Sequence, residues 1–344
     1  MAYTTIKKST DYFNTKLYTG NGVDDRSITG VGFQPDFTWI KSRTTTDYHT
    51  LFDVVRGVGK RLFSNVTEAE DTTPDSLQAF ESDGFEVGTN SGINGNNYNF
   101  ASWNWLANGA GSANTDGSIS STVSASATSG FSVVSWTGTG SNATVGHGLG
   151  VAPKMIIIKN TIDAVAWEVG HDAIGWTKKL RLNATDAEAV DSGAFNNTAP
   201  TSSVFSLGTN NTSNDSGDSM IAYCFAEKQG YSKFGSYVGN GSLDGTFIYT
   251  GFKPAWVMFK KTSAGADWFI MDNKRDLHNE MIRDLRPSNS DAENANTTYN
   301  DCDFISNGIK IREDNGDFNE SGGSYIYMAF AEQPLVGDNP ATAR

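Results

Sequence analysis

Apolar residues in this chain fall into short runs and two-residue alternations, and one series of such runs occurs three times over. Each copy opens on two aromatics and two glycines: Phe13-x4-Tyr18-x-Gly20-x-Gly22, Phe131-x4-Trp136-x-Gly138-x-Gly140 and, with one extra residue, Tyr231-x5-Tyr237-x-Gly239-x-Gly241. A proline follows (Pro35, Pro153, Pro254), then an apolar run ending in lysine (Lys41, Lys159, Lys260). Next come an aromatic and an aspartate: Tyr48 with Asp53, Trp167 with Asp172, Trp268 with Asp272. All three copies close on an aromatic-rich run, at 98–103, 220–225 and 325–330. Ordered agreement at so many landmarks marks an internal repeat of about 100 residues, the size of a small domain.

The runs read as strands. Proline fixes φ and lacks a ladder donor, so it belongs at a strand's start, while the Gly-x-Gly supplies turn freedom. A continuous run such as Met155-Ile156-Ile157-Ile158 suits a strand buried on both faces. Helical signals are confined to 185–190 and 276–286, a turn or two each. The expected fold is all-β, with three tandem β-sandwich repeats of about 100 residues each, since a propeller blade is about half that length. Boundaries follow from composition. A first repeat with its leader spans 1–106, and a Ser/Gly/Ala/Thr-rich linker or extended surface strand spans 107–128. Further repeats occupy 129–228 and 229–334, and a tail occupies 335–344.

Composition narrows the function. The net charge is −13 and no Lys/Arg cluster interrupts it, whereas nucleic-acid binding needs a cationic footprint against phosphates. No apolar run reaches membrane-spanning length and residues 1–8 lack a secretory core, so synthesis in the cytoplasm without membrane insertion is expected. Cys224 and Cys302 lie in different repeats and are expected as free, buried thiols.

Catalytic signatures are missing: HExxH, CxxC and GxSxG do not occur, and none of the four histidines recurs at one aligned position. The recurring Asp53, Asp172 and Asp272 are expected to accept backbone N–H groups or to pair with a nearby base such as Arg56 or Arg275. Ahead of each closing run lies a loop rich in Asn, Asp, Gly and Ser. These loops supply the candidate binding residues Asn90, Asn94 and Asn97, then Asn211, Asp215 and Asp218, then Asp314, Asp317 and Asn319. Three readings stand: a plain hairpin tip, a Ca²⁺ loop with Asp314, Asp317 and Glu320 as oxygen donors, or a carbohydrate-reading tip beside an aromatic platform. The Ca²⁺ spacing departs from an EF-hand, and no metal or other cofactor is otherwise expected.

Several stretches together resemble a repeat found in virion structural and tail-fibre-like proteins of marine tailed bacteriophages. They are the aromatic and Gly-x-Gly opening, Gly32-Phe33-Gln34-Pro35 with Trp39-Ile40-Lys41, Asp53-Val54-Val55-Arg56-Gly57, and Phe80-Glu81-Ser82-Asp83-Gly84-Phe85. The resemblance spans 13–333 and is strongest in the first repeat. The second lacks Arg-Gly after its aspartate, and the third keeps Gly251-Phe252-Lys253-Pro254 but not Arg-Gly. What the resemblance implies is a non-enzymatic virion component (a tail fibre, appendage or capsid decoration), with no catalytic residues to carry over. Expected partners are other virion proteins and host cell-surface glycan, held by several weak contacts on one scaffold. A homo-oligomer, such as a trimer, is expected, or else three repeats in one chain substituting for three subunits. The alternatives are a virion-associated polysaccharide depolymerase, which needs two carboxylates converging across a cleft, and a free lectin-like binding protein.

Overall fold

A computed structural model describes residues 4–294 and 301–334. The chain is all-β, built from antiparallel sheets in pairs. The expected tail at 335–344 lies outside the described residues. Four strands recur in one order: a leading strand, a closing strand, a proline strand and an aspartate strand. In the first unit these are Phe13–Thr19, Asn99–Trp105, Phe37–Ser42 and Thr50–Asp53, continued by Lys60–Phe63 and Asp71–Thr72. The second has Phe131–Thr137, Ser219–Phe225, Met155–Asn160 and Glu168–His171, continued by Lys178–Arg181 and Ala189–Val190. The third has Ser232–Val238, Ser324–Ala331, Pro254–Lys261 and Trp268–Asp272. A smaller sheet covers one face of each, namely Arg26–Thr29, Gly84–Val87 and Leu77–Glu81; then Ala143–Gly146 and Val204–Leu207; then Phe247–Tyr249, Gly308–Ile311 and Cys302–Ile305.

Because strand side chains alternate between faces, each closing strand serves two cores. Phe100, Met220 and Tyr325 point outward into the core between their unit's own two sheets. Trp103, Trp105, Tyr223, Phe225, Met328 and Phe330 point inward into one cluster shared by all three units. At its centre Trp105, Phe225 and Phe330, which occupy the same register position in their sheets, form a triangle. Their ring centroids are 6.1, 5.8 and 6.3 Å apart, each pair edge-on. Burial on both faces explains why the proline strands are nearly continuous apolar runs.

Three differences from the sequence reading have local causes. Within 107–128 the strand alternative holds and the linker does not: Ser112–Asn114 and Ser121–Ser126 extend the second large sheet beside its leading strand, so small residues here pave a sheet edge. No helix forms at 185–190 or 276–286; Ala189–Val190 is a strand, and 276–286 runs through turns and bridges held by tertiary bonds. Single helical turns form instead inside the Asn-rich loops, at Ser91–Asn94, Asn211–Asn214 and Gly316–Asn319. Both cysteines are free and buried. No helix among the described residues is long and apolar enough to cross a membrane.

Candidate functional site

Register identifies which residues are truly equivalent. Asp53, His171 and Asp272 pair across the ladder with Phe37, Met155 and Trp256, each two residues after its unit's proline. The expected aspartate triplet is therefore corrected: His171 holds the second position, and Asp172 turns outward to Lys154 at 2.7 Å. By the same register His49, not Tyr48, corresponds to Trp167 and Trp268. The landmarks Tyr18, Trp136 and Tyr237 do match, facing Phe100, Met220 and Tyr325.

These positions join neighbouring units in a cycle. Tyr223 donates its hydroxyl to Asp53 Oδ2 at 2.9 Å, joining units one and two. His171 meets the Tyr327 carbonyl at 3.3 Å, joining two and three, and Trp103 Nε1 donates to Asp272 Oδ2 at 3.1 Å, joining three and one. His171 Nδ1 accepts from Ala173 N, which assigns the ring proton to Nε2; burial lowers its pKa to about 4, so the ring is neutral near pH 7. Three backbone bonds repeat the cycle: Glu70 N to Thr161 O at 2.9 Å, Glu188 N to Thr262 O at 2.9 Å, and Glu293 N to Arg43 O at 3.0 Å. Trp167 and Trp268 donate indole protons to the carbonyls of Phe63 and Arg181, whereas His49 Nε2 in the same place closes no hydrogen bond. Burial, with the charges of Lys41 and Arg275, holds the His49 pKa well below its usual value, although the Arg286 backbone pulls the other way. Burial opposes the charge of Arg56, but Asp53, Tyr223 and Glu70 more than offset it and hold the guanidinium protonated.

The Asn-rich loops are clamps before they are tips. Asn94, Asn214 and Asn319 are fully buried. Each Nδ2 donates to the carbonyl six residues back (Gly88, Gly208, Glu313) and to one in the Gly-x-Gly segment (Val23, Ser141, Ser242), at 2.7–2.9 Å. Each Oδ1 accepts from a backbone N–H within the Gly-x-Gly (Asn21, Thr139, Asn240). The first glycine must lack a side chain, since a Cβ at Gly20 would lie 2.1 Å from the Gly95 carbonyl oxygen. Asn94 and Asn319 are thus corrected from binding candidates to internal braces. Asp218 accepts from Asn160 at 2.8 Å, the Asn211 carbonyl accepts from the same amide, and Asp215 accepts from Ser216 N. Asn97 takes φ +64° at an exposed tip, Asp317 gives its N–H to Asn315 Oδ1, and Asp314 is exposed. The proposed Ca²⁺ set does not converge: Lys261 holds Glu320 at 2.6 Å, and among the described residues the carboxylates that do come together are Asp163, Asp215 and Asp218.

Asn90 lines an open groove of about 360 Å³ in the first unit, with Asp47, Tyr48, Arg61, Phe63, Glu68 and Asp71 among its walls. Tyr48 is 39% exposed and meets Phe63 edge-on at 5.3 Å, while Arg61 lies over the same Phe63 ring at 5.2 Å and pairs with Asp71. The equivalent place in the second unit is a smaller pocket of about 180 Å³ lined by Lys179, Arg181, Asp186 and Ala189, and in both other units ion pairs within the chain engage the charged groups. In the second, Lys179 (in the place of Arg61) bonds Glu168 at 2.7 Å and Asp191 at 2.8 Å, and Asn210 bonds Asp191. In the third, Arg286 lies over Phe269 at 5.1 Å and bonds Asp284 and Asp267, the latter in the place of Tyr48.

One family covers these features together: a domain of unknown function, DUF7483, matches residues 8–334. The chain belongs to the DUF7483 family. The match runs through all three units, so the family's domain is the closed set rather than one sandwich. No curated protein and no solved structure matches the chain. Sequence reasoning missed the glutamates of the seams. Their signal is Thr67-Glu68-Ala69-Glu70, Thr185-Asp186-Ala187-Glu188 and Ser290-Asp291-Ala292-Glu293, a further landmark in the same order.

Proposed function

We propose that the chain is a non-enzymatic structural protein of a bacteriophage particle, a tail fibre, appendage or capsid decoration that presents its outer loops and one groove to host-surface or virion contacts. The observation that carries this reading is closure. The same seam bonds that join units one to two and two to three return from three to one. A display protein needs a stiff outer surface, and a ring closed within one chain supplies it without a partner copy. This favours three units standing in for three subunits over a homotrimer. Residues common to the units, such as Asn94, Asn214 and Asn319, are buried and bonded to the chain's own groups, whereas the outer positions Tyr48, Ala166 and Asp267 diverge. Such a division suits a constant scaffold with variable contacts.

Mass spectrometry of purified particles tests the virion role, with the chain expected among the structural proteins. Its absence from particles would favour a free lectin-like protein. New reducing ends released from host polysaccharide by the purified chain would favour a depolymerase and end the non-enzymatic reading.

A further inference from the structure

We infer that the groove at Tyr48 binds carbohydrate, a neutral or amino-substituted pyranose in preference to an acidic one. This deepens the display reading and rests on it only for the biological setting. Three equivalent places exist on the molecule; the second is a pocket of about 180 Å³ against about 360 Å³ in the first, and internal ion pairs engage the charged groups of the second and third. The first is wider, with Phe63 in the place of the arginines Arg181 and Arg286 and Thr50 in the place of the buried Glu168. The volume falls within the range of small-molecule sites, roughly 300–1,000 Å³.

Its walls suit hydroxyl groups, which donate and accept at once. Asp47, Glu68 and Asp71 offer acceptors, and they do not gather their oxygens at one point as a metal site requires; the group that does so among the described residues is elsewhere. Donors stand opposite. The Arg61 guanidinium, paired with Asp71, lines the groove, and Asn90 spends its carbonyl on Gly92 N at 3.0 Å while its amide lacks the aspartate that holds Asn210 in the second unit. Tyr48 adds an exposed aromatic face with a polar tip, on which the apolar face of a pyranose can stack. Three carboxylates against one guanidinium repel a uronate or a phosphate and admit an ammonium. A lysine side chain would use the acceptors but leave the Asn90 amide and the exposed Tyr48 face unanswered, so a sugar is favoured over a basic peptide.

The test is titration calorimetry and saturation-transfer NMR on the full chain with methyl glucoside, methyl galactoside, methyl mannoside, glucosamine and methyl glucuronide. At least one neutral or amino sugar is expected to bind, with the glucuronide at least about tenfold weaker. Tyr48→Ala is expected to weaken binding about tenfold or more, and Glu68→Gln to narrow the gap to the glucuronide. Both side chains are exposed, so the fold is retained, and Tyr249→Ala on the exposed face of the third unit serves as the unchanged control. Absence of binding to every sugar, preference for the glucuronide, full affinity in Tyr48→Ala, or stronger binding of an oligolysine peptide would each overturn the inference. A chain found on particles that binds no sugar removes this site alone. Sugar binding by a chain missing from particles removes the virion role alone.

Discussion

Lys41, Lys159 and Lys260 are fully buried, and their ammonium groups donate to backbone carbonyls. Two of those bonds cross seams, Lys159 to Thr67 O at 3.3 Å and Lys260 to Thr185 O at 2.9 Å. Burial lowers each pKa from 10.5 to about 8, although Asp47, Asp163 and Asp267 pull the other way. Between pH 8 and 10.5 the unfolded chain therefore binds more protons than the folded one, so these groups make stability rise with pH. Above pH 9 the buried thiols Cys224 and Cys302, whose pKa is raised, begin to oppose the trend. Urea unfolding at pH 7.5 and 9 should show the rise, and Lys159→Met should reduce its slope by about a third. A flat or falling profile in the parent chain, unchanged in the variant, would contradict the buried charges. The lysines were legible in the sequence as the ends of apolar runs; their partners were not, because they are backbone carbonyls of the following turn and, for Lys159 and Lys260, also of a neighbouring unit. Tyr48 and Asp172 misled by one residue because alignment by residue type ignores register. Substitutions at His49 and His171 hid the true equivalents.

At the scale of elements, a strand's two-residue period is visible in sequence, and the strands were found where the runs stood. The loops were less legible. Asn-rich segments are ambiguous between exposed tips and buried clamps, since an amide serves either purpose and only the surrounding backbone decides. The structure ties each loop to its Gly-x-Gly through one buried asparagine side chain beside backbone bonds such as Gly140 N to Asn214 O, which makes a prediction at this scale. Asn214→Ala leaves the buried carbonyl of Gly208 without its partner and removes the part-buried bonds to the Ser141 carbonyl and the Thr139 N–H. The expected cost is about 2–4 kcal/mol in chemical denaturation, with hydrogen exchange at Thr139 accelerated in the native state. An exposed neighbour such as Asn211→Ala should cost under about 0.5 kcal/mol. Equal effects from both substitutions would mean that the loop is a passive tip.

The molecule as a whole follows from where the closing strands send their inward residues. Three independent sandwiches would each bury one core and unfold separately; here Trp105, Phe225 and Phe330 meet from three units, so each unit lacks part of its core without the other two. The sequence showed the repeat but not this sharing, because an inward aromatic reads alike whether it faces its own small sheet or a neighbour. Coupling through the shared cluster predicts a single calorimetric transition, unusual for a chain of this length. Trp105→Ala sharpens the test. The indole Nε1 has no hydrogen-bond partner, so truncation removes packing alone, at an expected cost of about 3–5 kcal/mol. In a coupled ring the entire transition moves down together, and fluorescence from tryptophans in the central cluster, such as Trp167 and Trp268 in the other units, falls at the same temperature as far-UV circular dichroism. If the first unit instead melts early while the second and third keep their original midpoint, the closure carries little energy, and the stiff display surface inferred from it loses its physical basis.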